Sequence, residues 1–462
     1  MSLYTYLEAS IMTTISPAQE TVLSILRKPR TSDAGYRLLK YCVHSPVEEG
    51  ILLYNCLTCE LLLLSEEEFA NRLDSDYLRA NWFVVPETLN DKEFAELVRW
   101  VMTNRQKNAK NITSYTILST TDCNARCFYC FELGRSRIPM SEETAHKTAQ
   151  YITEHCGGEK VGITWFGGEP LFNLPVIDAI CQDLKENGVT FRSSVVSNGY
   201  LFTPDIIEKA KKHWNTFRVQ ITLDGTEAVY NRSKAYIYRG ESPYQVVIRN
   251  IGHLLDAQIA VNIRLNMDLY NAEDLVTLVD ELGSRFAGRK GLSVYANHIF
   301  DWSRPLKDIH SEEEWDRRYA AMDRLNSRIA HHGFGYKKRI PKKLRLNHCM
   351  ADSGRSVLIA PTGDIGLCEH HTENEFIGHI DRENFDTSVV RSWKALAAEI
   401  PECSDCFFYP NCVRLKKCTS GSSCFRHVQE TKRKELLQGM HNEYQLWKSQ
   451  SHDEEAEDIS FC

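Results

Sequence analysis

The chain has 462 residues, 55 Lys and Arg against 62 Asp and Glu, a formal net charge of −7 and 42% hydrophobic residues. This length exceeds one ordinary domain, so two or three are expected, with the composition of a globular protein. The negative balance speaks against a general nucleic-acid binder, no apolar run reaches the length of a membrane span, and the first residues lack the basic start and apolar core of a signal peptide. A cytoplasmic protein with no nucleic-acid and no membrane partner is expected. Its 16 cysteines fall in metal-like spacings, which in a reducing compartment reads as thiolate ligands rather than disulfides.

Residues 1–111 form a first domain. The opening stretch to about Ser32 has no clear pattern and is expected to be loosely ordered. Gly50 to Ser65 reads as a hairpin, with Ile51–Asn55 and Leu61–Leu64 as its arms. Ser65-Glu-Glu-Glu-Phe opens a helix with an N-cap hydroxyl and an acidic first turn. Asn90 with Glu93 resembles a capping box, and the helix after it puts Phe94, Leu97, Val98, Val101 and Met102 on one face. A hairpin followed by amphipathic helices is compatible with a small winged-helix module. Cys56 and Cys59, in the hairpin, read either as a second metal pair or as packing residues. Cys42, Cys156 and Cys181 are expected to pack.

Over residues 112–310 strand and helix alternate. Strands are expected at Tyr115–Leu118, Val161–Phe166, Val195–Ser197, Phe217–Leu223, Ala260–Leu265 and Leu292–Tyr295, and helices at Glu142–His155, Pro175–Glu186, Asp205–Lys212, Gln245–Ala257 and Glu273–Leu282. The alternation predicts an α/β fold with a parallel sheet whose ligands gather at the C-terminal strand ends. The first of those ends leads into Cys123-Asn-Ala-Arg-Cys127-Phe-Tyr-Cys130. Three thiolates spaced C-x3-C-x2-C suit a [4Fe-4S] cluster with one iron open to a small-molecule ligand. Structural zinc wants four ligands, and no fourth lies nearby. Gly167-Gly168-Glu169-Pro170 follows the second strand, Ser197-Asn198 the third, Asp224-Gly225 the fourth, and Arg264 with Asn266 the fifth. Asp301, near the end of the last strand, is the candidate catalytic residue.

Residues 311–344 read as a connector. Ser311-x-x-Glu314 is a capping-box pattern, and Trp315, Tyr319, Met322, Leu325 and Ile329 recur at helical spacing as core. The basic run Lys337, Lys338, Arg339, Lys342, Lys343 and Arg345 reads either as a dock for an acidic partner or as a solvated connector. Residues 345–440 hold Cys349, Gly363-x4-Cys368, Cys403-x2-Cys406-x5-Cys412-x5-Cys418 and Cys424. Seven cysteines overshoot one zinc site and undershoot two. Residues 441–462 read as a tail.

These motifs resemble those of the radical S-adenosylmethionine (SAM) enzymes, and the C-terminal cysteines resemble the SPASM extension, from about Thr113 to His427. The resemblance implies a partial (β/α)6 barrel. Cys123, Cys127 and Cys130 would hold the SAM-binding cluster, with Tyr129 part of the signature. Gly167, Gly168, Glu169, Ser197, Asn198, Asp224, Arg264 and Asn266 would surround SAM. The family places an Arg ten residues after the Asp to grip the SAM carboxylate; here Lys234 stands there, with Arg232 two residues earlier. Lysine lacks the bidentate fork of arginine. Two auxiliary [4Fe-4S] clusters are implied, an outer one on Cys403, Cys406, Cys412 and Cys424, and an inner one on Cys349, Cys368 and Cys418. Unlike sulfatase-maturing relatives, the chain has no Cys between Cys349 and Cys368; His348, Asp352 or Cys462 could fill the place, or an open iron could bind a substrate thiolate. The five residues between Cys412 and Cys418 exceed the family's usual spacing.

The same resemblance implies a maturase that takes a hydrogen from a ribosomally made precursor peptide and forms a thioether between a Cys sulfur and carbon. The N-terminal domain would bind the peptide's leader, or else serve packing or dimerisation. A flavodoxin- or ferredoxin-type donor would supply electrons. Carbon–carbon cyclophane crosslinking and sulfatase-type conversion of Cys or Ser to formylglycine are the alternatives. A non-catalytic electron-transfer module is the reading from a different class.

Overall fold

The computed structural model describes residues 35–106, 111–299, 310–335, 338–344, 349–369, 375–382, 385–386, 388–390, 405–412 and 426–459. The stretch to Ser32, Asp301, His348, Cys403, Cys418, Cys424 and Cys462 lie outside the described residues, as does the side chain of Asp352.

Strand β1 (Tyr36–Leu38) is followed by β2 (Cys42–Val47), β3 (Gly50–Asn55) and β4 (Glu60–Leu64), the last three pairing antiparallel in that order. The hairpin expected between Gly50 and Ser65 is therefore present, with Ile51 opposite Leu64. Helix α1 (Glu66–Ala70) starts at Ser65, whose hydroxyl accepts from the Glu68 amide while the Glu68 carboxylate accepts from the Ser65 amide; the reciprocal pair satisfies two N–H groups that the helix itself cannot. After α2 (Asp76–Ala80), β5 (Val84–Pro86) pairs antiparallel with β1. Helix α3 (Asp91–Gln106) buries Phe94, Ala95 and Val98, but Leu97 is 45% exposed. Ala95 rather than Leu97 faces inward, so the buried stripe is turned from the one expected and is shared with the segment around Tyr409.

The main sheet has nine strands in the order β11-β10-β9-β8-β7-β6-β12-β13-β14. Six strands that alternate with helices run parallel, β6 (Ser114–Thr120), β7 (Val161–Gly167), β8 (Phe191–Ser197), β9 (Thr216–Leu223), β10 (Ala260–Met267) and β11 (Leu292–His298). Between them run α4 (Glu142–His155), α5 (Leu174–Glu186), α6 (Pro204–Lys212), α7 (Glu227–Lys234), α8 (Pro243–Asp256) and α9 (Ala272–Phe286). Each expected strand and helix is present. Helix α7, short and polar, was not anticipated, and β11 runs three residues past Tyr295 to His298. The core between sheet and helices holds Trp165, Trp214, Ile221, Ile263 and Leu278, all fully buried. This is the α/β architecture with a central, largely parallel sheet expected from the alternation.

Helix α10 (Glu312–His331) starts at Ser311, whose hydroxyl accepts from the Glu314 amide, and buries Trp315, Met322, Leu325 and Ile329. Beyond α11 (Met350–Ser353), β12 (Ser356–Ile359) adds parallel to β6, so the C-terminal region extends the main sheet. Strands β13 (Asp364–Gly366) and β14 (Gly378–His379) follow antiparallel. Helix α12 (Arg426–Ile459) runs unbroken across the boundary expected at residue 440. Within the basic run, Lys338 pairs with Glu435 and Lys342 with Glu443 of α12, so these two lysines fasten the connector to the helix.

The N-terminal sheet does not close its core alone. Tyr41, Tyr54, Cys56 and Cys59 pack with Cys406, Tyr409, Leu436, Met440 and Tyr444. The Tyr54 hydroxyl donates to the Pro341 carbonyl at 2.7 Å, and the Asn411 amide donates to the Cys56 carbonyl. Cys59 sits at φ +64°, in the left-handed region. No described helix is long and apolar enough to cross a membrane.

Candidate active site

A cavity of about 590 Å³ opens at the C-terminal ends of the parallel strands. Its wall includes Cys123, Cys127, Tyr129, Cys130, Gly167, Gly168, Ser197, Asn198, Lys234, Arg264 and Asn266. The sequence spreads these residues over 144 positions; the strand ends bring them together. Glu169 and Asp224 lie beneath that wall, both fully buried.

The cysteine loop leaves β6 with its backbone folded toward its own sulfurs. The Ala125 amide donates to Cys123 Sγ at 3.3 Å, and the Asn198 amide reaches the same sulfur at 3.9 Å. Amide donors favour the charged form of a sulfur. In the apo chain burial first, then Glu169, pushes the Cys123 thiol up to about 12; bound iron would reverse that balance, since a metal deprotonates its thiol ligand. The Arg126 amide donates to the Lys234 carbonyl at 2.8 Å and ties the loop to the end of α7.

The Gly-Gly-Glu-Pro turn is fixed by close backbone approach. Gly167 has φ +121°, and a Cβ there would stand 2.1 Å from the Thr120 carbonyl oxygen; at Gly168 it would stand 2.3 Å from that of Asp122. No other residue type fits either place. Glu169 holds the next strand's motif: its carboxylate accepts from Ser197 Oγ at 2.9 Å, the Asn198 amide at 2.8 Å and the Leu171 amide at 3.2 Å. Burial outweighs these donors and raises its pKa from 4.5 to about 7. The folded chain therefore keeps the proton up to about pH 7, whereas the unfolded chain releases it near 4.5. Between those values the folded state binds more protons, so this contribution is fully present at low pH and is lost as pH rises to 7, about 3 kcal/mol in all. Urea denaturation between pH 5 and 8 is expected to show that decline for the SAM-free chain and a flatter profile for Glu169→Gln. Equal profiles would contradict the assignment.

Asp224 anchors a second network. Its carboxylate accepts from the Tyr129 hydroxyl at 2.6 Å and from Asn266 Nδ2 at 3.0 Å, and stands 3.4 Å from Lys234 Nζ. Lys234 is 3% exposed and also donates to Tyr129 Oη at 2.8 Å and Thr222 Oγ1 at 2.7 Å. Burial pulls the lysine pKa down, but Asp224, Cys127 and Tyr230 outweigh it and hold the ammonium charged. All three ammonium donors are thus directed at protein oxygens. Arg232 is exposed on α7 and does not line the cavity. Its place on the outer face of the helix follows from the two-residue offset from Lys234, since such neighbours point to different sides.

Several cavity groups went unremarked in the sequence. Glu132 lies just past the cysteine loop, its carboxyl raised to about 7 by burial. His298 closes β11, beyond the point where the apolar pattern faded at Tyr295. Buried atoms without a hydrogen-bond partner converge here: Glu132 Oε1, Arg264 Nε and both ring nitrogens of His298. Buried polar groups are rarely left so, and a polar ligand would satisfy them.

The C-terminal cysteines divide in space. Cys349 lines the cavity, together with Met350 and Glu369, and Cys368 is buried in the main core. Cys406 instead packs with the N-terminal module, and the Cys412 carbonyl accepts from Arg99 at 3.1 Å.

Comparison with known proteins places this geometry. The radical SAM superfamily profile matches residues 117–282. An uncharacterized protein of Methanocaldococcus jannaschii is 25% identical over 282 residues, 58% of this chain and 90% of that protein. The radical SAM cyclopropyl synthase TigE of Paramaledivibacter caminithermalis is 26% identical over 187 residues, 36% of this chain and 38% of TigE. Among solved structures, anSMEcpe with bound AdoMet superposes with a TM-score of 0.56 at 13% identity, over 73% of this chain and 99% of that one. Streptococcus suis SuiB does so with a TM-score of 0.50 at 12% identity, over 86% and 96%. At such identities the structural likeness speaks for the fold. From residue 117 to residue 282 the chain is a domain of the radical SAM superfamily.

Proposed function

We propose that the protein is a radical SAM peptide maturase that joins a cysteine sulfur to carbon within a precursor peptide. The observation that carries this reading is the shared wall of one cavity: Cys349 of the C-terminal segment lines it together with the three-cysteine loop. A substrate held there meets both. Bound to a [4Fe-4S] cluster on Cys123, Cys127 and Cys130, SAM supplies a 5′-deoxyadenosyl radical. Gly167 and Gly168 leave room for the methionyl end of SAM, Ser197 and Asn198 on the wall offer it acceptors, and Glu169 beneath them holds that pair in place for SAM. Arg264, with its unpartnered Nε on the cavity wall, is the guanidinium that grips the SAM carboxylate, while Lys234 holds the wall together.

Cys349 and Cys368, with Cys418, would carry an inner auxiliary cluster near SAM; Cys403, Cys406, Cys412 and Cys424 would carry an outer one. Soft thiolates suit iron–sulfur centres. With no cysteine between Cys349 and Cys368, these residues would leave the inner cluster a place for a soft ligand such as a substrate thiolate, and the cluster would supply an acceptor for the surplus electron. A flavodoxin- or ferredoxin-type donor would reduce the first cluster. The N-terminal module would hold the leader along β2, an edge strand with Val43 buried and His44 and Pro46 exposed. A peptide substrate also agrees with the anSMEcpe complex with AdoMet and Cp18Cys peptide.

Anaerobic co-expression with the short cysteine-containing open reading frame nearest its gene, followed by mass spectrometry, tests the reading. The expected product has lost one pair of hydrogens per bridge, and its cysteine resists alkylation. The same loss with a free thiol would replace the thioether by a carbon–carbon bond, and an aldehyde at Cys or Ser would replace it by formylglycine formation.

A further inference from the structure

The sixth parallel strand in chain order ends in an imidazole that nothing among the described residues satisfies. His298 lines the cavity, and neither Nδ1 nor Nε2 has a hydrogen-bond partner although both atoms are buried. A neutral imidazole is one donor and one acceptor, and leaving both unmade inside a protein costs the desolvation of each. The ring is nevertheless held firmly. Trp315 meets it edge-on at 5.8 Å and Tyr319 packs beside it at 5.2 Å, both from α10. A ring fixed by its faces and unpaired at its nitrogens is arranged for a ligand.

The ring is also kept neutral. Burial chiefly, with Arg318 and His310 adding to it and Asp268 opposing, lowers its pKa to about 4. Arg318 is spent on Asp268 and Glu314, at 3.0 Å each, so no carboxylate there pairs with the ring. At neutral pH the site therefore presents a donor and an acceptor without charge. Such a pair suits a neutral ligand that itself offers an acceptor and a donor, as a peptide amide does, and suits a carboxylate or phosphate poorly.

Strand β11 is the outermost strand on its side of the sheet; β7, which carries the Gly-Gly turn, lies four places away in the order, and β10, which carries Arg264 and Asn266, is the direct neighbour of β11. The Glu169 and Asp224 networks draw on the ends of β7 to β10, on the cysteine loop through Tyr129 and on α7 through Lys234, and take no residue from β11. His298 lines the same cavity as Cys349 and Glu369 of the C-terminal segment.

We infer that His298 is a substrate-binding residue, whose imidazole hydrogen-bonds a backbone amide of the peptide and holds the reacting residue in the cavity that Cys349 also lines. This rests on the peptide-maturase reading given above.

The test uses the full chain with its clusters reconstituted anaerobically and, as probe, the cysteine-containing peptide encoded nearest its gene. His298→Phe keeps the ring contacts to Trp315 and Tyr319 and removes both nitrogens; His298→Gln restores a donor and an acceptor. His298→Phe is expected to raise KM for the peptide about tenfold, the effect of one or two lost hydrogen bonds, with the dissociation constant of SAM and peptide-independent release of 5′-deoxyadenosine held within about twofold. His298→Gln is expected to recover most of the KM. A His298→Phe variant with the wild-type KM overturns the inference alone, as does one whose SAM affinity falls with peptide KM unchanged, which would give the ring to SAM. A wild-type enzyme that cleaves SAM and leaves the peptide unmodified overturns the maturase reading and the inference with it. Unchanged cluster absorbance and thermal midpoint in both variants establish that they are folded.

Discussion

Replacing Lys234 by Met is expected to destabilise the chain by about 3–5 kcal/mol, because it strands a buried carboxylate. Asp224 is fully buried, and Lys234 is the cation 3.4 Å from it. The neutral donors Tyr129 and Asn266 remain in the variant but carry no compensating charge. Asp224→Asn is expected to cost a similar amount by leaving the ammonium unpaired. The double variant Asp224→Asn/Lys234→Met should cost less than the sum of the two, with a coupling of about 2 kcal/mol or more. Denaturant titration of the four proteins completes the cycle. Additive losses would mean that the two side chains act separately, and that the lysine is free to serve the ligand.

Arg264→Met should show the converse pattern. The guanidinium Nε has no hydrogen-bond partner among the described residues, so stability should change by no more than about 0.5 kcal/mol. A charge-assisted hydrogen bond to the SAM carboxylate contributes about 1.5–3 kcal/mol, which corresponds to a dissociation constant about 10- to 150-fold weaker. Equilibrium binding of SAM to the reconstituted protein measures it. Wild-type affinity in Arg264→Met would remove this residue from the SAM site. The two variants together separate a residue that builds the wall from a residue that uses it, a distinction that the shared positive charge of Lys234 and Arg264 conceals.

That distinction also marks how far the sequence could be read. The alternation from Ser114 to His298 is carried by local patterns of apolar residues, and its strands and helices could be placed to within a few residues. The cysteine loop and the Gly-Gly-Glu-Pro turn were legible for the same reason, since each is a short motif whose chemistry depends on its own neighbours. What remained hidden depends on partners far along the chain. Lys234 stood out only by its place ten residues after Asp224, since its engagement with Tyr129, 105 positions away, leaves no local trace. Arg232 and Lys234 differ only in which side of a short helix they face. His298 stands past the apolar part of its strand, and only the cavity reveals it. Leu97 follows the helical period but meets the solvent, while Ala95 is fully buried.

The shared core of the two chain ends has a consequence for biosynthesis. Tyr41, Tyr54 and Cys56 are covered in part by Cys406, Tyr409, Met440 and Tyr444. During translation, these early side chains must wait for partners made almost 400 residues later, and contacts so distant in sequence are slow to form. Meanwhile the parallel sheet can assemble from neighbours as they emerge, domain by domain. A module made before the sheet is thus completed after it. Its apolar side, open in the nascent chain, closes only when the segment bearing Cys406 and Tyr409 arrives.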